Sequence, residues 1–429
     1  DEAYEPVIEA ALADASPMVR IHAIDALQRI GDEKATRALV RVVDGETDDA
    51  VLVTAAKALR TIYAKFMRDA EDDLNREKIR ASDDKKPKGG EAGEGDADKD
   101  DAKEAPARPA PPTARLAVRA AIKALGRTTW RADMVLVRLL DDFRSGEAVP
   151  ALIAVLERFR DNPKDVESGK LSYLLKTRVH DLLVSMTGAV YSANQPDQWR
   201  ELWDKEKDNI KVTEKRERTT KAGTAAAGFV GIPVEGSRVV FILDLSGSMD
   251  WPMNDGGGKM RRLDYAKREL LKAIDGLSPN AMFNLVTFNG SDKADSWRKK
   301  LVAASKRNKV SFKKFVAKLK PLGGTNLWSG VESALNIKSL VYGNHYETTV
   351  DEIFLLSDGA PSVGDVQDPV EILRLIAEIN RFKEVRINAV FISSATPDEE
   401  RQRQNRMTLS PAELMRRIAK QNGGKFRDV

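Results

Sequence analysis

The sequence predicts a chain in two parts, an all-α solenoid followed by a doubly wound α/β sheet of parallel type. Three observations carry that reading. Apolar residues in the first sixty-odd positions recur at a fixed offset with helical spacing. A charged stretch with Gly and Pro then interrupts the helical pattern. From residue 237 onward, short apolar runs alternate with amphipathic helices. The length of 429 residues leaves room for about two to four domains.

The repeat comes first. Val19, Ala23, Ala26, Leu27 and Ile30 return as Val51, Ala55, Ala58, Leu59 and Ile62, at a constant offset of 32. Within each copy the spacing i, i+4, i+7, i+8 marks one face of a helix. Ser16 is placed to cap a helix opening at Pro17, since proline is tolerated at the first helical position. Helical periodicity returns at Ala114, with Leu116, Ala120, Ile122, Ala124 and Leu125, and again over 149–156. Trp199 and Trp203, at i and i+4, read as core anchors of a final helix. Antiparallel helix pairs repeating at this length build α-solenoids. The pattern resembles HEAT repeats, including Val19-Arg20 near the start of the second helix. Helical repeats are therefore expected over 1–66 and 114–210.

Residues 67–113 are expected to form a disordered insertion within that solenoid. They contain few large apolar residues and cannot offset the chain entropy of folding. Asp96, Asp98 and Asp100 hint at a calcium loop, but Asp101 stands where such a loop needs Gly and Ala107 where it needs Glu. Residues 211–236, basic and then rich in Ala and Gly, read as a linker or an entry strand.

The α/β part spans 237–429. Val239–Leu243 is a fully apolar run, as a central parallel strand requires. Leu263, Ala266, Leu270 and Ile274 mark the next helix, and 283–288 the second strand. A further helix carries Phe312, Phe315, Val316 and Leu319 on one face. Strands follow at 353–356 and 387–392. Asp368-Pro369 with Glu371, and Ser410-Pro411 with Glu413, are capping boxes that open two helices. Leu409 and Leu414 sit where a hydrophobic staple needs them. Gly423-Gly424 ends the last helix before a short terminal strand.

Ligands of such sheets bind beyond the carboxyl ends of the strands. Three groups fall there: Asp244-Leu245-Ser246-Gly247-Ser248 after the first strand, Gly323-Gly324-Thr325-Asn326 before a helix, and Asp358-Gly359 after the strand ending in Leu356. Carboxylate and hydroxyl oxygens are hard ligands, suited to Mg²⁺, Ca²⁺ or Mn²⁺. The combination resembles the von Willebrand factor A (VWA) domain with its metal-ion-dependent adhesion site. That pattern is Asp-x-Ser-x-Ser, a distant Thr and a distant Asp, here Asp244, Ser246, Ser248, Thr325 and Asp358. The run Asp-Leu-Ser-Gly-Ser-Met at 244–249 has the bacterial form of the motif. The resemblance implies a Rossmann-like sheet and a divalent cation held by these five residues, with Mg²⁺ first and Ca²⁺ or Mn²⁺ as alternatives. It also implies a protein partner that completes the coordination with an Asp or Glu.

Composition narrows the remaining classes. There are no cysteines and only three histidines, His22, His180 and His345, which excludes thiolate metal sites and Cys nucleophiles. No phosphate loop, dinucleotide fingerprint or nucleophile elbow is present, so no enzyme is expected. Gly258-Lys259 is followed by Met260 rather than Ser or Thr. With 70 Lys and Arg against 66 Asp and Glu, the chain is nearly neutral and no nucleic-acid partner is expected. The local exception is 298–320, with ten Lys or Arg and no acid, read as the solvated face of a helix. Trp251 and Trp328 flank the candidate loops and either rim or pack them. No apolar run is long enough for a membrane helix. The first residue is Asp rather than Met, which implies a removed leader or a trimmed chain; the resemblance favours export. Two further readings stay open, a scaffold acting through its helical repeats and a subunit of a chelatase-type ATPase complex.

Overall fold

The computed structural model describes residues 4–84, 111–210, 212, 227–253, 260–335, 349–358, 361–393 and 409–429, with side chains from 6 to 71 in the first segment. The calcium-loop candidates, Gly258-Lys259 and His345 lie outside these residues. The chain divides into two compact units. The first comprises Asp1–Ile153, Ser185–Gly188 and Arg200–Lys215. The second comprises Ala154–Val184, Ala189–Trp199 and Arg216–Val429.

The first unit is helical: α1 (Tyr4–Leu12), α2 (Pro17–Ile30), α3 (Glu33–Gly45), α4 (Asp49–Asp84), α5 (Ala114–Ala124) and α6 (Trp130–Asp142). The repeat at 51–62 behaves as its spacing predicts: Val51, Ala55, Ala58 and Leu59 are fully buried and Ile62 nearly so. The copy at 19–30 differs. Ala23 and Leu27 are buried together with Ile21 and Ile24, but Val19 and Ile30 lie on the surface. Helix α4 packs against α2, α3 and α6, and α2 against α1, α3 and α4; Val19 and Ile30 fall on the part of α2 left open to water. Ser16 makes no capping bond through its hydroxyl; its backbone N–H instead donates to Asp14 Oδ1 at 2.7 Å.

Helix α4 runs to Asp84, past the start of the expected disordered insertion at 67. No Gly or Pro occurs between Asp49 and Asp84, and Ala, Glu, Lys, Arg and Leu propagate the helix. Helices from both sides of 85–110 share one core. Tyr63 and Thr113 are hydrogen bonded at 2.7 Å in the interior, and Arg127 donates to the carbonyls of Val43, Asp44 and Glu46 at the end of α3.

The second unit carries α7 (Val149–Asp161) from Ala154 onward, α8 (Pro163–Ser168) and α9 (Tyr173–Thr187) up to Val184, followed by the sheet. Trp199, in the first turn of the helix α10 (Pro196–Glu206), is buried and donates to Ser192 O at 3.2 Å, as an anchor does. Trp203 is half-buried. A hairpin, β1 (Gly228–Phe229) and β2 (Ile232–Pro233), precedes the main strands β3 (Arg238–Asp244), β4 (Met282–Phe288), β5 (Asp295–Ser296), β6 (Val302–Ala303), β7 (Glu352–Ser357), β8 (Arg386–Phe391) and β9 (Gly423–Asp428). Strands β4, β3, β7, β8 and β9 are parallel in that order. The short β5 and β6 pair antiparallel with β4, so the sheet is mixed at one edge rather than wholly parallel. Helices α11 (Arg262–Gly276), α12 (Lys306–Ala317), α13 (Leu327–Ala334), α14 (Pro369–Asn380) and α15 (Pro411–Gln421) complete the domain.

Apolar side chains from alternate positions of the strands form two cores, one on each face. The expected caps are in place: Asp368 accepts from the N–H groups of Val370 and Glu371, and Ser410 from that of Glu413. The basic helix α12 buries Phe312 and Val316, while Lys309 caps the carbonyls of Asp275 and Leu277 and Lys313 pairs with Asp275.

The segment read as a linker or an entry strand supplies a core residue. Phe229 is buried with its ring edge-on to Phe241 and Phe354. Replacing it with Ala should cost about 3–5 kcal/mol, as for a core aromatic. Denaturant unfolding checks this; a change under about 0.5 kcal/mol marks the hairpin as peripheral.

Candidate functional site

The chain order of the strands locates the site. From β3 the chain passes to β4 on one side and later to β7 on the other. The connections therefore diverge at the carboxyl end of β3, opening a crevice between the ends of β3 and β7. Asp244 is the last residue of β3, and Asp358 immediately follows β7.

Both carboxylates are buried, Asp244 at 0% and Asp358 at 3% exposure. Asp244 Oδ1 accepts the backbone N–H of Ser246 at 2.7 Å, and Oδ2 accepts the Ser357 hydroxyl at 2.6 Å. The chain then turns through a short 3₁₀ segment, Gly247–Asp250, which sets the Ser246 and Ser248 hydroxyls 3.1 Å apart. Asp244, Ser246 and Ser248 thus share one buried hydrogen-bonded cluster, reached from β7 through Ser357.

Backbone bonds draw the remaining loops in. Leu245 N–H donates to Phe288 O, the end of β4, at 2.8 Å. Leu322 N–H donates to Leu245 O at 2.6 Å, and Gly247 N–H to Gly323 O at 2.8 Å. The loop carrying Thr325 therefore lies along the one carrying Ser246 and Ser248. Thr325 is itself buried, and it exchanges bonds with Ser362, N–H to Oγ at 3.0 Å and O from N–H at 3.0 Å. Two glycines permit this approach. A Cβ on Gly290 would stand 2.6 Å from Gly324 N, and Gly323 has φ +71°, where a side chain is strained. Trp328 is buried in the apolar core and does not form a rim.

Arg262 is the residue that sequence reading missed. It opens α11, is 1% exposed, and donates through Nη1 to Asp358 Oδ2 at 3.0 Å and Ser248 O at 3.3 Å. Its guanidinium carbon lies 5.6 Å from the centre of the half-buried Trp251 ring. Nothing in the sequence separates it from Arg261, which faces outward to Asp250 and Asp264. Ser357 was also missed. Its signal was available, since it directly precedes Asp358 at the end of a strand beside β3.

Burial pushes the Asp244 carboxyl up, and the nearby Asp358 charge pushes it further, to about 7; the hydrogen bonds from Ser357 and Ser246 act against both. Among the described residues no group of three or more His, Asp or Glu is placed to hold a metal. The donor set here is two carboxylates with hydroxyls, oxygens throughout, which fits a divalent cation. Two neighbouring buried carboxylates with one guanidinium also leave room for further positive charge.

The pH dependence follows from the raised Asp244. The native state binds a proton there that the unfolded state has released between pH 4 and 7, so stability in chelator falls as pH rises through that window. Asp244→Asn should flatten the slope in thermal unfolding measured from pH 4 to 7; an unchanged slope contradicts the assignment.

Two family models match the chain, the von Willebrand factor type A domain over residues 237–399 and HEAT repeats over residues 1–76. Human inter-alpha-trypsin inhibitor heavy chain H4 is 35% identical over 139 residues, 32% of this chain and 14% of that protein. The pig heavy chain H2 is 34% identical over 131 residues, 30% of this chain and 13% of the relative. The chain therefore spans only a small part of the curated relatives it matches. Among solved structures, a von Willebrand factor type A protein from Catenulispora acidiphila aligns with 45% of this chain and 38% of its own, at 22% identity and a TM-score of 0.33. The loop geometry and the family models lead to one conclusion: residues 237–399 of this chain form a von Willebrand factor type A domain, and its first helices are HEAT repeats.

Proposed function

We propose that the C-terminal domain is a protein-binding module that captures an acidic side chain of a partner through a divalent cation. The observation that carries this reading is the convergence of Asp244, Ser246, Ser248 and Asp358 around the crevice at the ends of β3 and β7, with the Thr325 loop hydrogen bonded alongside. Asp244, Ser246, Ser248, Thr325 and Asp358 would hold the ion, with Mg²⁺ favoured and Ca²⁺ or Mn²⁺ as alternatives. Once bound, the ion supplies a Lewis-acid position for an external carboxylate.

The chemistry of the donors supports an open site. Two carboxylates and three neutral hydroxyls leave a hard dication short of the six or more oxygens it prefers, so water or a partner's oxygen completes the shell. Among the described residues no histidine belongs to the buried cluster; His180 lies in the helical segment, with its Nε2 on Tyr191 O. None of the described helices is long and apolar enough to cross a membrane.

Titrating Mg²⁺ or Mn²⁺ into the chelator-stripped protein by calorimetry tests the reading. One site per chain is expected, lost in Asp244→Ala and weakened at least about tenfold in Ser246→Ala, the loss of one hard ligand. Partners recovered by pull-down should be lost with chelator and with Asp244→Ala. Chelator-resistant capture through the first unit alone would favour the scaffold reading. Binding that survives Asp244→Ala rejects the site.

A further inference from the structure

The candidate metal site has a cation of its own. Arg262 is 1% exposed, and its Nη1 lies 3.0 Å from Asp358 Oδ2 and 3.3 Å from Ser248 O, so it touches two members of the proposed ligand loops. It cannot leave easily. The side chain is held by these bonds and by the Trp251 ring, while its backbone N–H donates to Trp251 O at 3.0 Å.

Counting charge shows the consequence. Among the described residues, and with Asp244 ionised as a bound dication requires, the two carboxylates contribute two negative charges and the guanidinium one positive. A dication then leaves the buried cluster with one surplus positive charge, in a place where water screens poorly. We propose that Arg262 is a built-in counter-cation that weakens metal binding at this site until a carboxylate arrives from outside. The proposal rests on the metal reading of the preceding section. Arg262 is too buried to meet the partner; it acts through the charge it places beside Asp358. Metal and external carboxylate then bind with positive coupling, each raising the affinity for the other by the same factor. Without the partner the site holds its metal more weakly, though it still fills at saturating metal. With an apolar side chain at 262, two carboxylates balance the dication and no external anion is needed.

Mg²⁺ calorimetry on the full chain, with and without acetate as the carboxylate probe, separates the possibilities. In the wild type, acetate should tighten Mg²⁺ binding several-fold. Arg262→Met should bind Mg²⁺ about ten- to a hundredfold more tightly without acetate, and acetate should then add less than about twofold. Arg262→Lys keeps the charge and should behave as the wild type in both arms. Should the Met variant fail to fold, Arg262→Gln, which keeps donors without charge, is expected to give the same pattern. Thermal unfolding supplies a second readout: the uncharged variants should be less stable than wild type in chelator and gain more from Mg²⁺. Weaker or unchanged Mg²⁺ affinity in the uncharged variants, or an undiminished acetate effect, overturns the proposal while leaving the metal site standing. Absence of Mg²⁺ binding by the wild type, with and without acetate, overturns both.

Discussion

Everything at the carboxyl end of the sheet is organised around keeping two carboxylates out of water. Asp244 and Asp358 terminate adjacent parallel strands, so the sheet itself forces them together. Burial of either charge is costly, and burial of both in one crevice is more so. The structure answers with a hydroxyl from Ser357, an N–H from Ser246 and a guanidinium from Arg262. Those groups come from three different parts of the chain. Their positions fix the turn after β3, the start of α11 and the end of β7 together.

The loops have less freedom than their irregular shape suggests. Gly247 bonds Gly323, Leu322 bonds Leu245, and Gly290 lies so close to Gly324 that no side chain fits between them. A site assembled from loops is thereby held as firmly as one built on strands. That rigidity suits recognition, because hydroxyls already oriented lose little entropy when a ligand arrives. The helical first unit follows a different logic. Its stability is a sum over neighbouring helices, and a residue stays exposed where its part of a helix meets no neighbour, as Val19 and Ile30 of α2 do.

Much of this was legible in the residues. The apolar run at 239–243 could only be a buried strand, and the boxes at Asp368 and Ser410 placed two helix starts because the capping chemistry is local. The order of Asp244, Ser246, Ser248, Thr325 and Asp358 could be read because loops after parallel strands share one edge. Long-range facts could not be read. The Arg262–Asp358 pair joins residues 96 apart, and only the turn at Trp251 decides which of two adjacent arginines faces inward. The exposure of Val19 and Ile30 depends on which part of α2 its neighbours cover, which periodicity does not encode. The reach of α4 to Asp84 was hidden by composition, since a charged helix and a charged coil use the same residues. Between the linker and entry-strand readings of 211–236 the sequence could not choose, because the strand holding Phe229 is only two residues long.

The central claim is that these buried oxygens form a seat for a hard dication. Crystals grown in Mn²⁺ and measured at the manganese absorption edge test it without assuming any partner. The account predicts a single strong anomalous peak enclosed by the Ser246 and Ser248 hydroxyls and the Asp244–Asp358 pair, with Arg262 still against Asp358. An empty crevice at saturating Mn²⁺, or a peak elsewhere on the domain, would contradict it.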